Sequence, residues 1–218
     1  MDIGYNFKDK KLLSTALTHI SLANEKGIES NQRLEFLGDS ILSFVVAEYI
    51  YNEFKDLDEG MLTMVRAEAV CEKSLAEAAK KIGLGDAVSF GRSESNVGKD
   101  KPSILCDTFE AVLGAIYLDG GIEPAKKWIM DNLKETIDRA KEADFTNYKS
   151  EIQSFYQKRD KNREVVTYSL LERKGPDHEP IFTVNAEYQG KIIGRGTGKN
   201  RKTAEQNAAK DALLKVKR

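Results

Sequence analysis

Glu35 and Asp39 stand four residues apart in NQRLEFLGDS, an otherwise apolar stretch. On a helix that spacing puts both carboxylates on one face, one turn apart. Asp107 and Glu110, three apart in ILCDTFEAVLGAIYL, repeat the arrangement. Unpaired charges are costly to bury. Four carboxylates gathered together repel, and their pKa values rise unless a cation joins them. Oxygen-only ligands favour Mg2+ or Mn2+ over zinc. Mg2+ keeps several waters, one of which can serve as a nucleophile. The chemistry open to such a site is hydrolysis by metal-bound water, provided that the two helices meet at these positions, and beside a domain that binds a polyanion it points to phosphodiester hydrolysis. Solvated acids on helix edges are the alternative that spacing alone leaves open.

Other chemistries fit less well. Helical di-iron carboxylate proteins use Glu-x-x-His motifs, and neither His19 nor His178 follows a glutamate by three. His19, in LTHIS, reads as a structural helix-end residue. GTGK at 196–199 lacks the rest of a phosphate-binding loop: position 193 is Ile and position 200 is Asn. No nucleotide cofactor is expected.

The elements that must carry the acids are legible. The first 101 residues contain no proline, which suits uninterrupted helices. Leu12, Leu13, Ala16 and Leu17 form one stripe at helical spacing. Ile41, Leu42, Val45 and Val46 form another, and Leu75, Ala78, Ala79 and Ile82 a third. The run 103–119 stops at Gly120-Gly121, and Pro124 opens a further helix through Trp128 and Leu133. Residues 1–140 therefore read as all α. The polar stretch 141–147 reads as a linker.

Residues 148–218 have a different texture. Lys149 to Lys158 reads as a short helix, 165–168 and 181–184 as strands, and 191–194 as a third strand. A glycine-rich turn at 196–198, Asn200 as N-cap and an alanine-rich helix close the chain. The order is α-β-β-β-α.

The net charge of −1 hides an asymmetry. Residues 1–146 carry 18 basic and 26 acidic side chains, a net of −8; residues 147–218 carry 16 and 9, a net of +7. A basic second domain suggests a polyanionic partner. No apolar run is long enough to span a membrane. The first residues lack an apolar signal core. A cytoplasmic location is expected, with Cys71 and Cys106 as free thiols.

Whole blocks of the chain are similar to a known family. NQRLEFLGDSIL resembles the signature helix of bacterial ribonuclease III, with Gln32 where the family usually has Glu. LTHIS at 17–21, DEGMLTMVRA at 58–67 and SILCDTFEAVLGAIYLDGG at 103–121 resemble its other blocks. YKSEIQ, GPDHEP and GTGKNRKTAEQNAA resemble a double-stranded RNA-binding domain. The resemblance implies an all-α endonuclease domain followed by a small α+β domain. It implies a homodimer that cuts double-stranded RNA with Mg2+, or Mn2+ in its place, through metal-activated water. It also implies 5′-phosphate and 3′-hydroxyl ends with a short 3′ overhang. The four metal-site carboxylates map onto Glu35, Asp39, Asp107 and Glu110, with Asp39 and Glu110 as the catalytic pair. Phe36 maps to the dimer interface, and Glu59 to an auxiliary acidic position lining the RNA valley.

A-form RNA exposes 2′-hydroxyls in a shallow minor groove, and its major groove excludes side chains. The resemblance assigns Ser150, Gln153, Gln157 and His178 to the minor groove. It assigns Lys199, Asn200, Arg201 and Lys202 to the phosphates at a helix start, where the dipole adds attraction. Two rivals remain at this stage: a non-cleaving double-stranded RNA binder and a metal-dependent pyrophosphatase acting on small nucleotides.

Overall fold

The computed structural model describes residues 3–92, 94, 98–143, 145, 147–161, 164–176 and 179–216. The chain divides into two compact units, residues 1–144 and 145–218.

The first unit is built around α7 (Pro102–Gly120). Proline opens this helix, where its missing N–H costs nothing. Gly121, at φ +84°, closes it, and its N–H donates to the Tyr117 carbonyl. Leu105, Phe109, Val112, Leu113 and Ile116 are fully buried, so α7 is apolar almost all round, as a central helix must be. Around it stand α1 (Lys10–Ala16), α2 (Ile20–Lys26), α3 (Gln32–Glu53), α4 (Glu59–Ala69), α5 (Glu72–Lys81), the single turn α6 (Leu84–Ala87) and α8 (Ile122–Lys141). The stripe Leu34, Ile41, Leu42, Val45, Val46 and Ile50 buries one face of α3. Leu17 caps α1 rather than continuing it, and α8 begins two residues before Pro124. Trp128 on α8 packs on Phe109 at 4.5 Å between ring centroids and donates its Nε1–H to the Ile3 carbonyl at 2.7 Å. Asp119 ties down the N-terminal segment by accepting from Tyr5 Oη, Lys8 N and Asp9 N. No helix among the described residues is long and apolar enough to cross a membrane.

The second unit runs α9 (Tyr148–Asp160), β1 (Thr167–Lys174), β2 (Ile181–Tyr188), β3 (Lys191–Gly198) and α10 (Arg201–Val216). The strands form an antiparallel sheet in the order β1-β2-β3. The two helices cover one face, with Ile152, Tyr156, Val184, Ala186, Tyr188 and a row of alanines on α10 as the core.

Two strand limits differ from the sequence expectation. Val165 and Val166 precede β1, because the Val166 N–H donates to the Gln153 side chain at 2.7 Å instead of to a strand. Gly196-Thr197-Gly198 is the end of β3, not a turn. A Cβ on Gly194, Gly196 or Gly198 would overlap the backbone of α10, so these glycines serve close strand–helix approach. Asn200 does cap α10: its Oδ1 accepts from Thr203 N at 2.8 Å.

Candidate active site

Helices α3 and α7 cross with their backbones in contact. A Cβ on Gly38 would overlap the Glu110 carbonyl oxygen, and one on Gly114 would overlap that of Leu34. Two glycines, one per helix, thus remove the side-chain layer that usually separates packed helices by 8–10 Å. The acids flank this crossing. Glu35 and Asp39 sit on either side of Gly38 on α3, and Asp107 and Glu110 precede Gly114 on α7.

Their electrostatics record the convergence. Burial first, then Asp39, Glu35 and Asp107, push the Glu110 carboxyl up to about 8. Glu35 is also raised, by burial and then by Asp107 and Asp39. Asp107 is raised by burial and then by Glu72, with His19 opposing. Each pair therefore feels the other across the two helices. Glu35, Asp107 and Glu110 are partly buried, and Asp39 faces solvent.

Two nearby residues escaped the sequence reading. Glu72, exposed at the start of α5, acts on Asp107 from a distant part of the chain, and nothing local could have revealed it. Cys106 Sγ and one oxygen each of Asp107 and Glu110 lie within 4.8 Å of one another. The i, i+4 relation of Cys106 to Glu110 was a legible signal that a count of thiols overlooks. Burial, followed by the surrounding acids, pushes the Cys106 thiol up to about 12.

His19 is the N-cap of α2, with Nδ1 accepting from Ser21 N at 3.3 Å, and its N–H is tied to Ser89. Phe36 is 78% exposed on α3, and Phe44, more than two turns further along the same helix, is exposed too. Glu59 opens α4, exposed, and accepts from the Thr63 hydroxyl. Gln32 is exposed at the start of α3.

In the second unit, the starts of α9 and α10 lie side by side. Lys149 Nζ donates to Glu205 at 2.8 Å, and Lys149 N to the Gln206 side chain. Lys199 and Lys202 are exposed and form no ion pair among the described residues, whereas Arg201 is paired with Glu205 at 2.9 Å. Ser150 and Gln157 are exposed on α9. Gln153 is engaged at both ends, donating to the Glu164 carbonyl at 2.9 Å and accepting from Val166 N. His178 lies outside the described residues.

Comparisons with known proteins agree with this two-part organisation. Residues 9–137 match the ribonuclease-III-like family model, and residues 148–216 match the double-stranded RNA binding motif. Ribonuclease 3 of Caldanaerobacter subterraneus subsp. tengcongensis is 47% identical over 218 residues, covering 98% of this chain and 95% of that protein. Ribonuclease 3 of Symbiobacterium thermophilum is 44% identical over 214 residues, covering 97% and 90%. Among solved structures, the nuclease domain of ribonuclease III from Campylobacter jejuni superposes with a TM-score of 0.58 at 44% identity, covering 62% of this chain and 92% of that one. That structure is described as flexible in a region involved in dimer formation. With paired acids at a glycine-mediated helix crossing and family models matching on both sides of residue 144, the chain belongs to the ribonuclease III family.

Proposed function

We propose that this protein is a magnesium-dependent endoribonuclease that cuts double-stranded RNA as a homodimer in the cytoplasm, with structured precursors such as ribosomal RNA among its substrates. What supports the reading is that Glu110 feels Asp39, Glu35 and Asp107, and Glu35 feels Asp107 and Asp39, across the α3–α7 crossing, in a chain whose other unit matches an RNA-binding motif. The donor set fits a hard cation: four carboxylates, three of them raised first by burial, with repulsion inside the set adding to Glu35 and Glu110 and Glu72 adding to Asp107, a conflict that positive charge would relieve. Mg2+ or Mn2+ suits oxygen donors. When bound, such an ion supplies Lewis-acid polarisation of a phosphoryl oxygen and activation of water.

The chain's own residues do the rest. The glycine crossing fixes the spacing of the two acid pairs, so the ligands are organised before substrate arrives. Glu110 must release its proton to bind a cation, and Asp39, on the solvent side, faces incoming RNA. On α9, Ser150 and Gln157 offer free hydrogen-bonding groups to 2′-hydroxyls, with His178 assigned to the same groove. Gln153 reaches RNA only by giving up two hydrogen bonds that hold residues 164–166, so its contact is the weaker one. Lys199 and Lys202 meet phosphates directly, Asn200 holds the helix start that presents them, and Arg201 must first leave Glu205. Glu59 is an auxiliary acid at the edge of the RNA path. Exposed Phe36, Phe44 and Leu118 form the apolar surface that a second copy covers, by an isologous contact.

The deciding experiment incubates the protein with labelled duplex RNA and Mg2+. Products with 5′-phosphate and 3′-hydroxyl ends and a short 3′ overhang are expected. Intact duplex at high protein excess would favour a non-cleaving binder. Glu110→Gln should abolish cleavage while leaving duplex binding measurable by gel shift.

A further inference from the structure

The tightest group of metal-ligating side chains among the described residues is not made of oxygen alone. It is Cys106, Asp107 and Glu110, with Sγ and the two carboxylate oxygens within 4.8 Å of one another. All three come from one stretch of α7: Cys106 and Glu110 lie one turn apart on one face, Asp107 flanks them, and the ligand atoms approach with no rearrangement of the fold. No hydrogen bond or ion pair occupies any of the three side chains among the described residues. Glu35 and Asp39, on α3, are not members of this group.

We propose that Cys106, Asp107 and Glu110 bind a thiophilic divalent cation of the zinc and cadmium class, in a mode exclusive with the ion held by the four carboxylates. Zinc binds thiolate at about 2.3 Å and carboxylate at about 2.0–2.2 Å, which puts tetrahedral donors about 3.6 Å apart. The three atoms are close enough to reach that spacing by small side-chain rotations. A soft sulfur donor selects zinc-like ions over magnesium, which accepts oxygen ligands in a strict octahedron. The cation displaces the thiol proton to solvent as the metal–sulfur bond forms, and the proton that Glu110 holds below about pH 8 leaves to solvent as its carboxylate binds. Because Asp107 and Glu110 belong to both donor sets, one cation excludes the other. The consequence for cleavage, competitive loss of magnesium-supported activity, rests on the function proposed above; the binding itself does not.

The full chain and cadmium chloride test this. Cys71→Ser leaves Cys106 as the single thiol, because the chain has two cysteines. Serine is a favourable N-cap at that helix start, so the variant should fold. After chelator treatment, cadmium should raise a thiolate-to-cadmium charge-transfer band in the ultraviolet that saturates at one ion per chain. Excess Mn2+ should erase the band. Cys106→Ser should show no band and bind cadmium about tenfold more weakly or worse. A Cys71→Ser chain with no band at saturating cadmium overturns the proposal, and a band indifferent to excess Mn2+ overturns the exclusivity. Mn2+ binding followed by electron paramagnetic resonance on the same sample separates the two readings. Mn2+ bound without a cadmium band sinks the thiol site alone. A cadmium band without Mn2+ binding sinks the four-carboxylate site and leaves the thiol site standing.

Discussion

The Glu110 carboxyl is pushed up to about 8, first by its burial and then by the charges of Asp39, Glu35 and Asp107. The sign of its effect on stability follows from linkage. Unfolded, it titrates near the ordinary value of 4.5; folded, near about 8. Between those values the native chain keeps a proton that the unfolded chain has lost. Its stabilising contribution in the absence of a cation is full below the lower value and disappears as pH rises through the upper one. Glu35 and Asp107, also raised, act in the same direction. Thermal melts in EDTA should therefore give a lower Tm at about pH 8 than at about pH 5. Mg2+ should recover more of the Tm at the higher pH, because it replaces the missing protons. A metal-free Tm that climbs across this window would contradict the acid cluster.

At the scale of the element, the site depends on how closely α3 and α7 approach. Neither Gly38 nor Gly114 is needed for a positive φ; both lie inside helices, where glycine costs about 1 kcal/mol relative to alanine. That propensity argument alone would recommend Gly38→Ala. The packing argument wins, since the added methyl would overlap the Glu110 carbonyl and force the helices apart. Overpacking of this kind costs about 1–3 kcal/mol. Gly38→Ala should lower the denaturation midpoint and reduce cleavage more than it reduces RNA binding, read by melts and gel shifts on one preparation. Unchanged stability would mean that the helices have room to spare. The same physics explains β3, whose alternate glycines admit α10 against the strand.

At the scale of the whole molecule, charge is divided between the units, net −8 before residue 147 and net +7 from there on. Phosphate contacts release counterions, so affinity carried by the basic unit should fall steeply with salt. Deleting residues 147–218 should weaken duplex binding and flatten the dependence of log affinity on log salt. An unchanged slope would place the phosphate contacts elsewhere. The exposed apolar surface of α3 makes a separate demand. Phe36, at 78% exposure, is a poor residue to leave in water, and Phe44 on the same helix is exposed as well. Phe36→Ala should shift sedimentation toward monomer, and an intact dimer at low concentration would locate the interface on another face.

The sequence by itself determined whatever depends on neighbours within a turn or two of backbone. The apolar stripes of α3, α5 and α7, the Asn200 cap, the polarity change near residue 144 and the pairing of acids within each helix are all local periodicities or caps. The similarity of whole blocks to a known family then supplied the expectation that the two pairs serve one site. Only the tertiary structure decided what depends on packing between distant segments. Glu35 and Asp39 feel Glu110 because two glycines let their helices touch, and Glu72 reaches Asp107 from α5. Glycines 196 and 198 read locally as a turn, yet they belong to a strand, because a helix backbone occupies the space where their side chains would be. Gln153, which the resemblance assigns to the RNA minor groove, also supplies the hydrogen bonds that the segment before β1 lacks. Local rules reach about one helical turn, whereas which surfaces meet is settled by excluded volume and burial across the whole domain.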